Sequence, residues 1–299
     1  MENIQNEHIF AVLGGDLRQT IIAERLIGVG KKVKVFAPFA GGRAIGAEIC
    51  MTAERAISGS NVIILPLPVS KDNIHLSVND QSFSETKLCD IIKLAQKHGV
   101  EYVLGGMIPD ETVDYCRSLG IKVFDYYKCE KLQEKNALPS AEGALMIAME
   151  NTDITVLGMN TLVCGYGRIG KKLAYILKRL GARVTVAARR DETLCEAVMG
   201  GYDIIKIDSK FEIKDKFDVI FNTVPFVVFT DDVVMKIIGE PIYIEIASKP
   251  GGIDLHSAKN KGIRVIGAPS LPGKYSPVSA GEYIFETISD LLEKGGIKI

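Results

Sequence analysis

Thr161-Leu162-Val163-Cys164-Gly165-Tyr166-Gly167-Arg168-Ile169-Gly170 is a short apolar run followed by three glycines spaced G-x-G-x-x-G. The run suits a buried parallel strand. Apolar residues then recur at helical spacing from Arg168 to Leu180 (Ile169, Leu173, Ile176, Leu177, Leu180) until Gly181, and Ala182–Ala188 reads as a second strand. In a strand–turn–helix–strand unit each glycine has its own task. Gly165 makes the tight turn, Gly167 lets a pyrophosphate approach the backbone, and Gly170 lets helix and strand pack closely. The diphosphate then rests on the helix N-terminus that Arg168 and Ile169 open. The expectation is a dinucleotide-binding Rossmann domain.

The end of the second strand selects the dinucleotide. A site for NAD usually carries Asp or Glu there to hold the ribose 2′-hydroxyl, whereas an Arg suits a 2′-phosphate. This strand ends Ala187-Ala188-Arg189-Arg190, so NADP is the expected cofactor, with NAD the lesser alternative should Asp191 serve the ribose.

Outward from this unit the chain alternates strand and helix signals on both sides. Strands are expected at 8–13, 32–36, 61–65, 101–104 and 121–124, with helices at 16–29, 84–98 and 110–119; later strands fall at 203–207, 218–221, 242–246 and 264–266. The fold expected is α/β, with two doubly wound domains flanking a cleft and the second binding the cofactor. Boundaries are placed at 1–138, a bridging helix 139–151 with Pro139 near its start, the cofactor domain 152–280, and a C-terminal helix within 281–299 that returns to the first domain.

The first turn, Gly14-Gly15-Asp16-Leu17-Arg18-Gln19, lacks the dinucleotide spacing. The 299 residues carry 36 Lys and Arg against 37 Asp and Glu, a net charge of -1, which gives no electrostatic footprint for nucleic acid or an anionic membrane. Six scattered cysteines without a C-x-x-C pair and a polar N-terminus fit a reducing cytoplasm, and Cys164 reads as a buried hydrophobe. No cluster suggests a metal.

Several expected strand ends carry Gly, Pro and polar residues: 65–68, 105–107, 138–143, 222–225, 247–252 and 268–274. Asn222-Thr223-Val224-Pro225 falls where amides commonly meet the nicotinamide side of the cofactor. Arg18, Lys249 and Lys274 offer positive charge for an anionic substrate. None of the four histidines is expected at a strand end facing the cleft: His8 opens a strand, His75 and His98 lie in surface-like segments, and His256 sits in a solvated helix. That argues against 2-hydroxyacid chemistry, where imidazole commonly handles the alcohol proton.

These pieces together resemble the A-subunit family of dipicolinate synthases from endospore-forming bacteria, over essentially the full chain. The shared motifs are Gly14-Gly15-Asp16-x-Arg18-Gln19, Pro139-x-Ala141-Glu142-Gly143, the glycine turn with Arg168, Asn222-Thr223-x-Pro225, Ala247-Ser248-x-Pro250-Gly251-Gly252, and Ala268-Pro269-x-Leu271-Pro272-Gly273. The resemblance implies oxidation of dihydrodipicolinate to dipicolinate with NADP, in the mother cell, within an oligomer containing the separate B subunit of dipicolinate synthase. It also implies a cofactor half similar to D-2-hydroxyacid dehydrogenases. Two substrate carboxylates then call for Arg18, Lys249, Lys274, Ser140 and Ser248, with Glu142 or Asp16 accepting the proton and Lys249 assisting. The alternatives are a 2-hydroxyacid dehydrogenase and a non-catalytic NADP-binding scaffold for a partner.

Overall fold

A computed structural model describes residues 8–39 and 44–299. They divide into two compact units, one formed by the chain up to Lys135 together with Pro277–Ile299, the other by Asn136–Ser276.

The first unit runs β1 (Ile9–Leu13), α1 (Leu17–Gly28), β2 (Lys32–Phe36), β3 (Glu48–Cys50), α2 (Ala53–Ile57), β4 (Val62–Ile64), α3 (Leu88–Lys97), β5 (Tyr102–Gly105), α4 (Asp110–Ser118) and β6 (Lys122–Asp125). The helix α5 (Glu130–Asn151) leads into the second unit. That unit runs β7 (Asn160–Cys164), α6 (Arg168–Arg179), β8 (Arg183–Ala188), α7 (Asp191–Met199), β9 (Asp203–Lys206), β10 (Val219–Asn222), α8 (Asp231–Lys236), β11 (Ile242–Glu245), α9 (Leu255–Lys261), β12 (Val265–Gly267) and α10 (Leu271–Tyr275). The last helix, α11 (Pro277–Lys294), lies with the first unit, where its Ile284, Ile288 and Leu292 join the core beside Ile22 and Leu26 of α1.

Both sheets are wholly parallel and share one topology: β3-β2-β1-β4-β5-β6 and β12-β11-β10-β7-β8-β9. This is the doubly wound order, with one switch point between β1 and β4 and the other between β7 and β10, where ligands of such sheets bind. The central strands explain it: Phe10, Val12, Leu162 and Val163 are almost wholly buried, as parallel strands covered by helices on both faces require.

Helix α5 corrects the boundary expected at Pro139. It begins at Glu130 and holds Pro139 inside, so residues 136–138 go with the second unit. The proline has no N–H, so the Lys135 carbonyl loses its helical donor, and the division between the units falls directly after that residue. Ala141, Ala144 and Ala148 bury one side of this helix in the core of the second unit.

Candidate functional site

At the switch point of the second unit the three glycines separate by what surrounds them. Gly165 has φ +92, and a Cβ added there lies 2.2 Å from Thr223 Oγ1. One added at Gly170 meets the Gly165 carbonyl oxygen at 2.0 Å, so α6 seats directly on the turn. At Gly167 a Cβ meets nothing within 4 Å. Two glycines are therefore required by the protein itself, and the third borders open space at the start of α6. Gly167 caps that helix without a side-chain hydrogen bond, so the first-turn N–H groups face an approaching anion together with the helix dipole.

Beside the turn lies a cavity of about 300 Å³ whose walls include Gly165, Gly167, Arg189, Arg190, Pro225 and Phe226. Both arginines thus border the same space as the glycine turn. The Arg189 guanidinium carbon lies 5.8 Å from the centre of the Phe226 ring. Asp191 opens α7 and pairs with Lys206 Nζ at 2.7 Å, which engages the carboxylate expected to serve a ribose in the NAD alternative. Tyr166, between the first two glycines, packs edge-on to Tyr202, and burial pushes its hydroxyl up to about 12.

Asn222 is wholly buried, and both its amide hydrogens are spent within the protein, on the Val224 carbonyl (2.9 Å) and Glu245 Oε1 (2.7 Å), while its Oδ1 accepts from Val224 N. An expected cofactor contact through this amide gives way to a supporting role: Asn222 shapes the 222–225 turn. Thr223 Oγ1 donates to the Cys164 carbonyl at 3.0 Å and closes the switch point across β7 and β10. The acid that organises this edge is Glu245, which sequence reasoning missed. Its carboxylate accepts from Asn222 Nδ2, Ala247 N (3.2 Å) and Gly252 N (2.7 Å). An acid closing the apolar run Ile242-Tyr243-Ile244 was the available signal. Glu245→Ala strands several donors and is expected to cost about 2 kcal/mol, lowering the melting temperature by about 4–8 °C in a calorimetric scan.

The remaining residues expected at the site divide. Ser248 and Lys249 are exposed on the loop that Glu245 anchors. Lys274, on α10, is exposed with Nζ 4.8 Å from the Tyr275 ring centre, and Glu142 is exposed on α5. The helices carrying these two pack closely, since a Cβ on Gly143 would lie 3.0 Å from the Tyr275 ring. Ser140 is buried and donates to the Asn136 carbonyl, so its hydroxyl is spent along its own helix.

In the first unit Asp16 and Arg18 satisfy one another. Asp16 caps α1 and accepts from Arg18 Nε at 2.9 Å and Nη2 at 2.8 Å; the same Nη2 donates to the Leu67 carbonyl. With its side chain 9% exposed, Arg18 ties the turn after β1 to the loop after β4. Gln19 donates to carbonyls at the ends of the same two strands, Leu13 and Ile64. His75 lies in an exposed segment, as expected, and pairs through Nδ1 with Asp72 Oδ2 at 2.7 Å in the loop after β4.

Cys164 is buried and its thiol is pushed well up by burial, in keeping with a packing role; burial likewise takes Cys116 up to about 11. Cys89 and Cys195 are exposed. A thiol reagent is expected to label these last two in the native protein, and Cys164 and Cys116 only on unfolding, as peptide mapping of the labelled chain will read.

Fold and site together define the class: a chain of two doubly wound units, the second a nicotinamide-dinucleotide-binding domain. Residues 141–268 match the model of the S-adenosyl-L-homocysteine hydrolase NAD binding domain. Residues 9–127 match that of the dipicolinate synthase A-subunit N-terminal domain. The chain resembles the A subunit of dipicolinate synthase throughout: it is 27% identical to that protein of Bacillus subtilis, over 94% of this chain and 95% of the relative. The crystal structure of the same subunit from Bacillus halodurans superposes with a TM-score of 0.82 at 26% identity, over 96% of this chain and 98% of that one. D-lactate dehydrogenase from Escherichia coli, at TM-score 0.62 and 16% identity over 96% of this chain and 97% of its own, shares the fold. Among the described residues no helix is long and apolar enough to cross a membrane.

Proposed function

We propose that this chain oxidises dihydrodipicolinate to dipicolinate with NADP as hydride acceptor, as the A subunit of a synthase completed by the B subunit in the mother cell of a sporulating bacterium. The observation that carries the reading is that the resemblance to the A subunit of dipicolinate synthase runs through both units, over 94% of the chain. The cofactor residues fit the group: an open turn at Gly167, a helix N-terminus behind it, and Arg189 with Arg190 on the wall of the same cavity, where a 2′-phosphate finds bidentate partners. NADP supplies the hydride acceptor. Lys249, Ser248 and Lys274 are the groups of the second unit for substrate carboxylates, and Glu142 is its candidate proton acceptor. The pairing of half-buried Asp16 with buried Arg18 favours a part in shaping the turn after β1.

Loss of a hydride and a proton makes the dihydropyridine ring aromatic, so the step is downhill and depends on orientation more than on a strong acid or base. Two assays in parallel test the reading, dihydrodipicolinate with NADP and small 2-keto acids with NADPH. Turnover on the first far exceeding the second is expected. Turnover on 2-keto acids that rivals it assigns the chain to 2-hydroxyacid chemistry. Binding of NADPH with no turnover until the B subunit is added assigns it a scaffold role. Lys249→Ala is expected to raise the apparent substrate constant about tenfold and leave NADPH affinity intact, because its loop is distinct from the glycine turn; wild-type kinetics would remove Lys249 from the site.

A further inference from the structure

The motif Ala247-Ser248-Lys249-Pro250-Gly251-Gly252 follows β11, and one carboxylate sets its conformation. Glu245 is the last residue of β11, and Asn222, the last of β10, is its registered neighbour in the sheet. From there the chain makes a tight turn. Gly251 N donates to the Ser248 carbonyl at 3.1 Å, so Lys249 and Pro250 stand at its tip. Both feet of the turn return to the same acid: Ala247 N donates to Glu245 Oε1 at 3.2 Å and Gly252 N to Oε2 at 2.7 Å. Each oxygen thus holds one foot, and Oε1 also accepts from Asn222 Nδ2 at 2.7 Å.

The paired glycines let the backbone close in. A Cβ on Gly251, whose φ is +88, would lie 3.0 Å from Glu245 Oε2. One on Gly252 would lie 2.2 Å from Asn222 Nδ2 and 2.9 Å from the Tyr243 hydroxyl oxygen. On the other flank the Gly252 carbonyl accepts from Val228 N at 3.0 Å and Phe229 N at 2.9 Å. An acid and two glycines therefore hold a turn whose tip is exposed, and among the described residues the Lys249 ammonium at that tip has no ion pair or hydrogen bond.

We infer that Glu245 is a positioning residue for substrate binding: by holding both feet of the turn it fixes where Lys249 stands at the carboxyl ends of β10 and β11. This rests on the reading that Lys249 receives a substrate carboxylate. A lysine whose backbone is fixed before the substrate arrives spares binding the cost of ordering the loop, so Glu245 governs the substrate constant rather than cofactor affinity.

The test compares Glu245→Gln with Glu245→Asp in the full-length protein, with the B subunit present where turnover requires it. Glutamine keeps the volume but offers one acceptor oxygen, so its amide group meets the N–H of one foot donor to donor. Aspartate is one methylene shorter but keeps both acceptors. KM for dihydrodipicolinate is expected to rise about tenfold in Glu245→Gln, with kcat and NADPH affinity within about threefold of wild type, and to stay within about threefold in Glu245→Asp. A packing role reverses that order, since glutamine is the closer match in shape. Glu245→Gln added to Lys249→Ala is expected to raise KM no further, because its effect passes through the lysine. Full additivity, or a larger KM in Glu245→Asp than in Glu245→Gln, overturns the inference. Hydrogen exchange of the Ala247 and Gly252 amides is read in parallel, slow in the wild type and faster in Glu245→Gln. Exchange at free-loop rates in the wild type overturns the inference whichever variants fold. Wild-type KM in Lys249→Ala, or no dihydrodipicolinate turnover at all, sinks the proposed role of Lys249 and leaves the exchange to decide whether Glu245 holds the turn. A tenfold rise in Lys249→Ala with wild-type KM in Glu245→Gln upholds the lysine and sinks the positioning role.

Discussion

Gly167→Val is expected to abolish dinucleotide binding, at least about a thousandfold or some 4 kcal/mol, in a protein that still folds. The two halves of this result have separate causes. Apart from its chain neighbours, no protein atom lies within 4 Å of a Cβ at this position, so the surrounding fold leaves room for the new side chain. The pyrophosphate does, because its approach to the backbone depends on a bare Cα. Gly170→Ala is the contrasting variant. Its Cβ would fall 2.0 Å from the Gly165 carbonyl oxygen, a backbone atom that cannot swing aside, so α6 must lift from the turn. A loss of about 3 kcal/mol in stability is expected there before any question of binding arises. Isothermal titration with NADPH and a melting curve on both variants separate them: a folded Gly167→Val protein that keeps its affinity would remove the turn from the cofactor site.

The second large effect concerns cofactor choice. Arg189 and Arg190 are exposed and border the cavity of the glycine turn, while Asp191 is paired with Lys206. Changing Arg189 to Asp and Arg190 to Ala replaces two cations by one anion near the expected 2′-phosphate. NADPH is expected to bind about 100-fold more weakly, close to 3 kcal/mol, with NADH changed by only a few-fold. Equal losses for the two cofactors, in parallel titrations, would assign the arginines to a general electrostatic role.

How much of this could be read in the chain varies with the range over which the signal acts. The glycine turn, its two strands and its helix were legible because buried parallel strands and an amphipathic helix impose periodicities on neighbouring residues. Short elements such as Glu48–Cys50 and Ala53–Ile57 were missed, having too few residues for a period to declare itself. The start of α5 escaped because Glu130–Asn136 is largely polar and Pro139 mimics a first-turn proline. At the site, residue type was legible and partnership was not. Asn222, Ser140, Arg18 and Asp16 have side chains suited to ligands, yet the fold turns each toward a protein partner. Glu245 gains importance from the groups that folding brings to it, the Asn222 amide foremost.

In the proposed reaction a hydride passes from dihydrodipicolinate to NADP held at the Gly165–Gly170 turn, so NADPH and dipicolinate must appear together. Their absorbances are to be followed simultaneously after purified wild-type protein, with and without the B subunit, meets dihydrodipicolinate and NADP. Equal molar amounts of both products, formed by wild type and not by Gly167→Val, are the predicted result. Dipicolinate formed without matching NADPH, or equal rates in the two proteins, would contradict it.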